Sequence, residues 1–217
     1  MESFENLNDV KYYVISLGTT ERRDNIKEQN LNQNIDLIFV DAVHWKTINQ
    51  KQLLNNNVIS PDFFEDNNKR NKEIACYHSH FKTYNEIKTK NPNGYSVILE
   101  DDFNMITTNL SMNINEIIKT MESTDFDVIF LGNTFYNIGD KYKNNIHKID
   151  KSYETMGCFA YLIKNKNIQK IINSTSYIDE PIDSKFNSLI KTYNLNIYRV
   201  HPNIINYKKE LPSLIID

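Results

Sequence analysis

The stretch Tyr95-Ser96-Val97-Ile98-Leu99-Glu100-Asp101-Asp102 decides the reading. Residues 95–99 form a short, apolar, β-prone run entered from the turn Asn91-Pro92-Asn93-Gly94, which marks a buried strand. The strand runs straight into three acids. Adjacent carboxylates repel one another, and each loses hydration if the site is enclosed. A divalent cation relieves both costs, and an oxygen-only donor set selects a hard ion, Mn2+ or Mg2+. If strand geometry persists, Glu100 and Asp102 share a face and form the ion-holding pair. Asp101 then points elsewhere, toward a ribose or a backbone cap. The same three acids also fit a solvated loop that caps the next helix, and local sequence leaves both readings open.

Outward from this point, strands and helices alternate. Strands are expected at 12–17, 37–40, 127–131, 158–163 and 196–200. Helices are expected at about 21–29, 74–89, 112–121, 167–173 and 183–193, with a short one at 49–54. The 74–89 helix rests on Ile74, Tyr77, Phe81, Tyr84 and Ile87 at helical spacing. Residues 46–72 read as otherwise polar and irregular, and 133–150 as a surface loop or hairpin. This order predicts an α/β fold, a mostly parallel central sheet flanked by helices. Ligands in such sheets sit at the carboxyl ends of strands, where Leu17, Asp41 and Glu100 fall.

The chain of 217 residues suits one domain spanning 1–217, with 1–11 expected to be a poorly ordered N-terminal segment. A net charge of −3 does not suggest a nucleic-acid binder. Two cysteines, Cys76 and Cys158, make no disulfide framework, so a reducing compartment is the simpler expectation. The polar start and the lack of a long apolar run suggest neither a secretory signal nor a membrane-spanning helix, hence a cytoplasmic or peripheral location. No GxGxxG, P-loop or CxxC pair is present, which removes support for dinucleotide, P-loop phosphate and structural zinc sites.

Other side chains are weighed against the acids. Arg22 and Arg23 open the first helix, where helix amides and guanidinium groups suit a diphosphate, although a solvated helix face is the commoner fate of paired arginines. His78 and His80 lie about 200° apart on a helix and cannot ligate one ion together. The commoner fate of such histidines is structural, and a place beside a ligand is the second reading for His80 and Ser79. His201, just after the last strand, is a candidate third metal ligand.

Several segments then align in order. Val14-Ile15-Ser16-Leu17 with Glu21-Arg22-Arg23 resembles the opening of glycosyltransferase family 25. Phe39-Val40-Asp41-Ala42 is similar to its second strand, and Glu73-Ile74-Ala75-Cys76-Tyr77-His78-Ser79-His80 to its "EIGC-x-x-SH" segment, with Ala75 where Gly is usual. Val97 to Asp102 resembles its "VLEDD" motif, Gly157 to Ile163 its "G-x-x-x-Y" strand, and Pro181-Ile182-Asp183 its "PVD" segment. The resemblance implies a GT-A-like fold and inverting, metal-dependent transfer of galactose or glucose from a UDP-sugar to a glycan or glycoprotein hydroxyl. It implies that Ser16, Leu17, Arg22, Asp41 and Ala42 contact the nucleotide, that Ser79 and His80 support the donor site, and that Asp183, on the acceptor side, acts as general base, with assistance to the metal or a bond to a sugar hydroxyl as its other roles. A catalytically silent nucleotide- or carbohydrate-binding module with the same fold is the alternative.

Overall fold

A computed structural model of the chain describes residues 9–31, 33, 35–135, 138–150 and 155–211. Its centre is an eight-stranded sheet in the order β2-β1-β3-β8-β5-β9-β7-β6. The strands are β1 Val10–Ser16, β2 Leu37–Asp41, β3 Tyr95–Glu100, β5 Val128–Phe135, β6 Asp140–Lys143, β7 Ile146–Ile149, β8 Thr155–Lys164 and β9 Ile197–Val200. Pairing senses show β2, β1, β3, β5, β9 and β6 running one way and β8 and β7 the other. This is the mostly parallel, helix-flanked sheet expected. Of residues 1–11, Val10 and Lys11 open β1, and residues 1–8 lie outside the described residues.

Among the described residues, six α-helices cover the two faces: α1 Thr20–Asn30, α2 Gln50–Asn55, α3 Asn68–Lys90, α4 Leu110–Thr120, α5 Ile168–Ser174 and α6 Ile182–Thr192. On one face, Ile74, Tyr77, Tyr84 and Ile87 of α3 pack with Tyr13, Tyr161 and Phe186. On the other, Ile26 of α1 and Leu110, Ile114, Ile117 and Ile118 of α4 cover Val14, Leu99 and Leu131. The alternation along β3 divides these layers, with Ile98 on the first face and Val97 and Leu99 on the second.

Helix α3 starts six residues before the expected position 74. Its first turns, Asn68 to Glu73, are polar and carry no apolar period. They are helical because the Asn67 side chain caps the Arg70 amide at 2.8 Å and the Arg70 guanidinium stacks 3.7 Å from the Phe63 ring centre. The expected hairpin within 133–150 is β6–β7, while β5 reaches Phe135. A second sheet was not foreseen: β4 Phe103–Met105 pairs antiparallel with β10 Ile205–Tyr207. Three-residue strands are too short to carry a readable period. This small sheet ties the segment after the acid triplet to the C-terminal part of the chain.

Candidate active site

The three acids sit where β3 ends. In-register pairing brings Ile15 of β1 beside Glu100, and Ser16 beside Asp41 of β2, so three parallel strands end at one edge. Strand geometry does not continue past Glu100, because Asp101 and Asp102 form a turn. The shared-face argument for Glu100 and Asp102 therefore does not hold. The turn nevertheless keeps all three acids on one cleft of about 100 Å3.

Glu100 is held from α3. Its Oε1 lies 3.2 Å from His80 Nε2 and 3.6 Å from Cys158 Sγ. His80 is fully buried, and its Nδ1 lies 2.7 Å from the Tyr161 hydroxyl, which meets the Tyr84 hydroxyl at 2.9 Å. Burial pushes the Glu100 pKa up, but the His80 hydrogen bond and charge, the Cys158 thiol and Arg22 outweigh it, so Glu100 titrates below the ordinary glutamate value. An ionised Glu100 accepts, so His80 Nε2 carries a hydrogen, and Nδ1 and the Tyr161 hydroxyl share the second bond.

Asp101 is buried and pairs with Arg22 through its Oδ1, and the same Arg22 nitrogen lies 3.6 Å from Asp102 Oδ2. Arg22 was expected to face a diphosphate, but its buried guanidinium is directed at the acids. Asn25 of α1 donates to the Asp101 and Phe103 carbonyls at 3.2 and 3.0 Å, fixing the turn. Asp101 Oδ2 and Asp102 Oδ1 are both buried with no hydrogen-bond partner among the described residues. Burial, and then the charge of Glu100, push the Asp102 pKa up to about 7 against the pull of Arg22. Two carboxylates thus share one guanidinium, leaving two enclosed oxygen atoms without donors among the described residues.

The other expected residues divide. Leu17, Ala42, Ser79, His80 and Arg22 line the acid cleft. Ser79 works through the backbone: its Oγ accepts from the Val43 amide at 2.9 Å and so sets the loop after β2. Ser16 is buried, and its Oγ accepts from the Gly18 amide at 2.9 Å. Gly18 is left-handed at φ +72, with the Arg23 guanidinium packed where a Cβ would stand. Asp41 is exposed, and its carbonyl accepts from Lys82 Nζ at 2.8 Å. Asp183 lies at the start of α6. Its Oδ2 accepts from the Gly157 amide at 3.2 Å and its Oδ1 from the Ser184 amide at 2.8 Å, which orients the carboxylate.

His201 is placed elsewhere. It lines a second cavity, where its Nδ1 lies 3.3 Å from Arg199 Nη2, and it is absent from the lining of the acid cleft. Among the described residues, the three whose ligand atoms converge, all within 4.8 Å, are Cys76, His80 and Glu100. That set mixes sulfur, nitrogen and oxygen. Burial and then Glu100 push the thiol pKa values of Cys76 and Cys158 well up, so neither is a thiolate as the residues stand.

The model of glycosyltransferase family 25, described as an LPS biosynthesis protein family, matches residues 9–186. The chain belongs to glycosyltransferase family 25. The match takes in the acid triplet and Asp183 and stops before His201. Procollagen galactosyltransferase 1-A of Xenopus laevis is 25% identical over 193 residues, covering 83% of this chain and 31% of that protein. Procollagen galactosyltransferase 2 of Homo sapiens is 24% identical over 172 residues, covering 72% and 26%. The chain thus spans about a quarter to a third of the length of the curated relatives it matches. A solved glycosyltransferase involved in glycosylating the major capsid of PBCV-1 is 8% identical with a TM-score of 0.49, covering 92% of this chain and 94% of its own.

Two cleft residues of this family 25 chain were missed by sequence reading. Trp45 is half-buried and lines the cleft, and the buried Lys72 has its Nζ 5.9 Å from the Trp45 ring centre. Trp45 is the only tryptophan and stands beside a polar, irregular segment, a signal that was available. No helix among the described residues is long and apolar enough to cross a membrane.

Proposed function

We propose that the chain is the donor-binding and catalytic domain of an inverting glycosyltransferase. It moves galactose or glucose from a UDP-sugar to a hydroxyl of a glycan or glycoprotein. The observation that carries this reading is the acid triplet at the end of β3. Two of its carboxylate oxygens are buried without a donor among the described residues, in a chain that belongs to glycosyltransferase family 25. The galactosyltransferase names of the relatives support galactose as the sugar.

The acids fit a divalent ion. Enclosed oxygens with no donor and an Asp102 pKa raised to about 7 are what a carboxylate cluster shows when a cation is its natural partner. Glu100 and Asp102 would hold Mn2+ or Mg2+. When bound, such an ion neutralises the charge that develops on the leaving diphosphate.

The chain's own residues do the rest. The Arg22–Asp101 pair fixes the turn that carries Asp102. His80 orients Glu100. Leu17, Ala42 and Val43 wall the nucleotide side, Trp45 offers a ring to the base, and Lys72 adds a positive charge to the cleft. Asp183 takes the proton of the acceptor hydroxyl as its oxygen bonds to the anomeric carbon and the bond to the UDP oxygen breaks. Calorimetric titration of UDP with and without Mn2+ tests the donor site, and UDP release across a panel of UDP-sugars names the sugar. A chain that binds UDP in neither condition is not this enzyme.

A further inference from the structure

A second cavity, of about 440 Å3, lies near the carboxyl ends of β5 and β9. Asn133 lines it, is 3% exposed, and has neither its amide nitrogen nor its amide oxygen hydrogen-bonded among the described residues. A buried amide with both ends unpaired is costly, and natural structures carry few of them. One side chain offering a donor and an acceptor side by side complements two neighbouring hydroxyls. Phe159 and Tyr207, with ring centres 5.6 Å apart, also line the cavity, and Tyr207 is 42% exposed. Arg199, fully buried, adds a guanidinium whose Nη2 lies 3.4 Å from Asn203 Oδ1. No carboxylate lines the cavity among the described residues, which disfavours a cationic ligand. The volume falls within the range of about 300–1,000 Å3 usual for small-molecule sites.

The cavity is tied to the acid cleft through the backbone after the triplet and opens on the other face of β8: Cys158, which touches Glu100, packs on the α3 face, and the next residue, Phe159, walls the cavity from the opposite face. Tyr207 pairs in register with Phe103, and the following Lys208 amide donates to the Asp102 carbonyl at 2.7 Å. We infer that this cavity binds a neutral sugar ring of the acceptor, with Asn133 taking a pair of ring hydroxyls and Tyr207 lying against the ring's apolar face. The inference rests on the glycosyltransferase reading for the word acceptor; the sugar site itself rests on Asn133.

Saturation-transfer NMR of the full chain with methyl glucoside, galactoside and mannoside tests it, beside a UDP titration of the wild type. At least one hexoside receives saturation. Asn133→Ala weakens its binding about tenfold or more, the scale of one or two lost hydrogen bonds to a neutral ligand. Tyr207→Ala, at an exposed ring, weakens it as well and keeps the test valid should the Asn133 variant fold poorly. Absence of transfer to all three hexosides, or wild-type binding by the folded variants, overturns the site. Failure of wild-type UDP binding overturns the glycosyltransferase reading instead, and the NMR result stands separately from it.

Discussion

His80 Nε2 stands 3.2 Å from Glu100 Oε1, so the first acid of the triplet is positioned from a helix that enters the sheet some twenty residues earlier in the chain. Tyr161 holds the other ring nitrogen, and the imidazole cannot turn away without breaking that contact. His80→Phe therefore frees Glu100 and leaves the Tyr161 hydroxyl with one partner fewer. The expected loss is about 1–3 kcal/mol of stability, by urea denaturation. Mn2+ affinity falls about 10–100-fold, as for other groups that orient a ligand. Unchanged Mn2+ affinity would show that His80 only packs.

Arg22 and Asp101 form a buried ion pair at the same cleft. Arg22→Met strands a buried carboxylate and costs about 3–5 kcal/mol. Adding Asp101→Leu removes that charge, and the double variant recovers most of the stability. A double variant as unstable as the single one would refute the pairing as the cause.

Asp102 gives the pH dependence. Its pKa is about 7 in the fold against 3.8 for the free side chain. Between those values the folded protein keeps a proton that the unfolded chain has lost. Metal-free stability therefore falls as pH rises from about 4 to about 7 and is level beyond. Mn2+ competes with that proton, so its affinity rises toward pH 7 and then flattens. Titration from pH 5.5 to 8.5 measures this, and Asp102→Asn abolishes the slope. A slope that survives the substitution assigns it to another group.

Asp183 accepts from two backbone amides and is the base we propose for the transfer. Asp183→Asn keeps UDP binding and lowers the rate of sugar transfer about 10²–10⁴-fold. Loss of UDP binding in parallel would place Asp183 on the donor side.

Gly132 sits where β10 crosses close to β5. A Cβ there would lie 1.9 Å from the Ile205 carbonyl oxygen and 2.6 Å from the Phe159 ring. Gly132→Ala is expected to cost at least about 1–3 kcal/mol, because the first obstacle is backbone and cannot rotate aside. A thermal melt within 1–2 °C of the wild type would contradict this contact.

Much of the fold is legible in the chain because its elements carry their own period. The apolar runs of β1, β3 and β8 and the i, i+3, i+4 aromatics of α3 announce themselves residue by residue. The acid triplet is equally legible, since three carboxylates after a buried strand are electrostatically anomalous wherever they sit. Contact partners are not. The approach of Cys158 to Glu100 depends on β8 inserting antiparallel between β3 and β5, and 58 residues separate the two side chains. Arg22 and His201 show the same limit: one looked like a phosphate ligand and is directed at the acids, the other looked like a metal ligand and lines a different cavity.

The sequence by itself therefore determined the class of fold, the family and the residues that bear charge at the strand end, since these follow from local hydrophobic period and local charge. Only the tertiary structure decided that Glu100 leans on His80, that Asp101 spends its charge on Arg22, and that the Asn133 side-chain amide has no hydrogen-bond partner among the described residues in a cavity behind β8. Those outcomes depend on strand order and on which face each side chain takes, and neither is encoded within a window of a few residues.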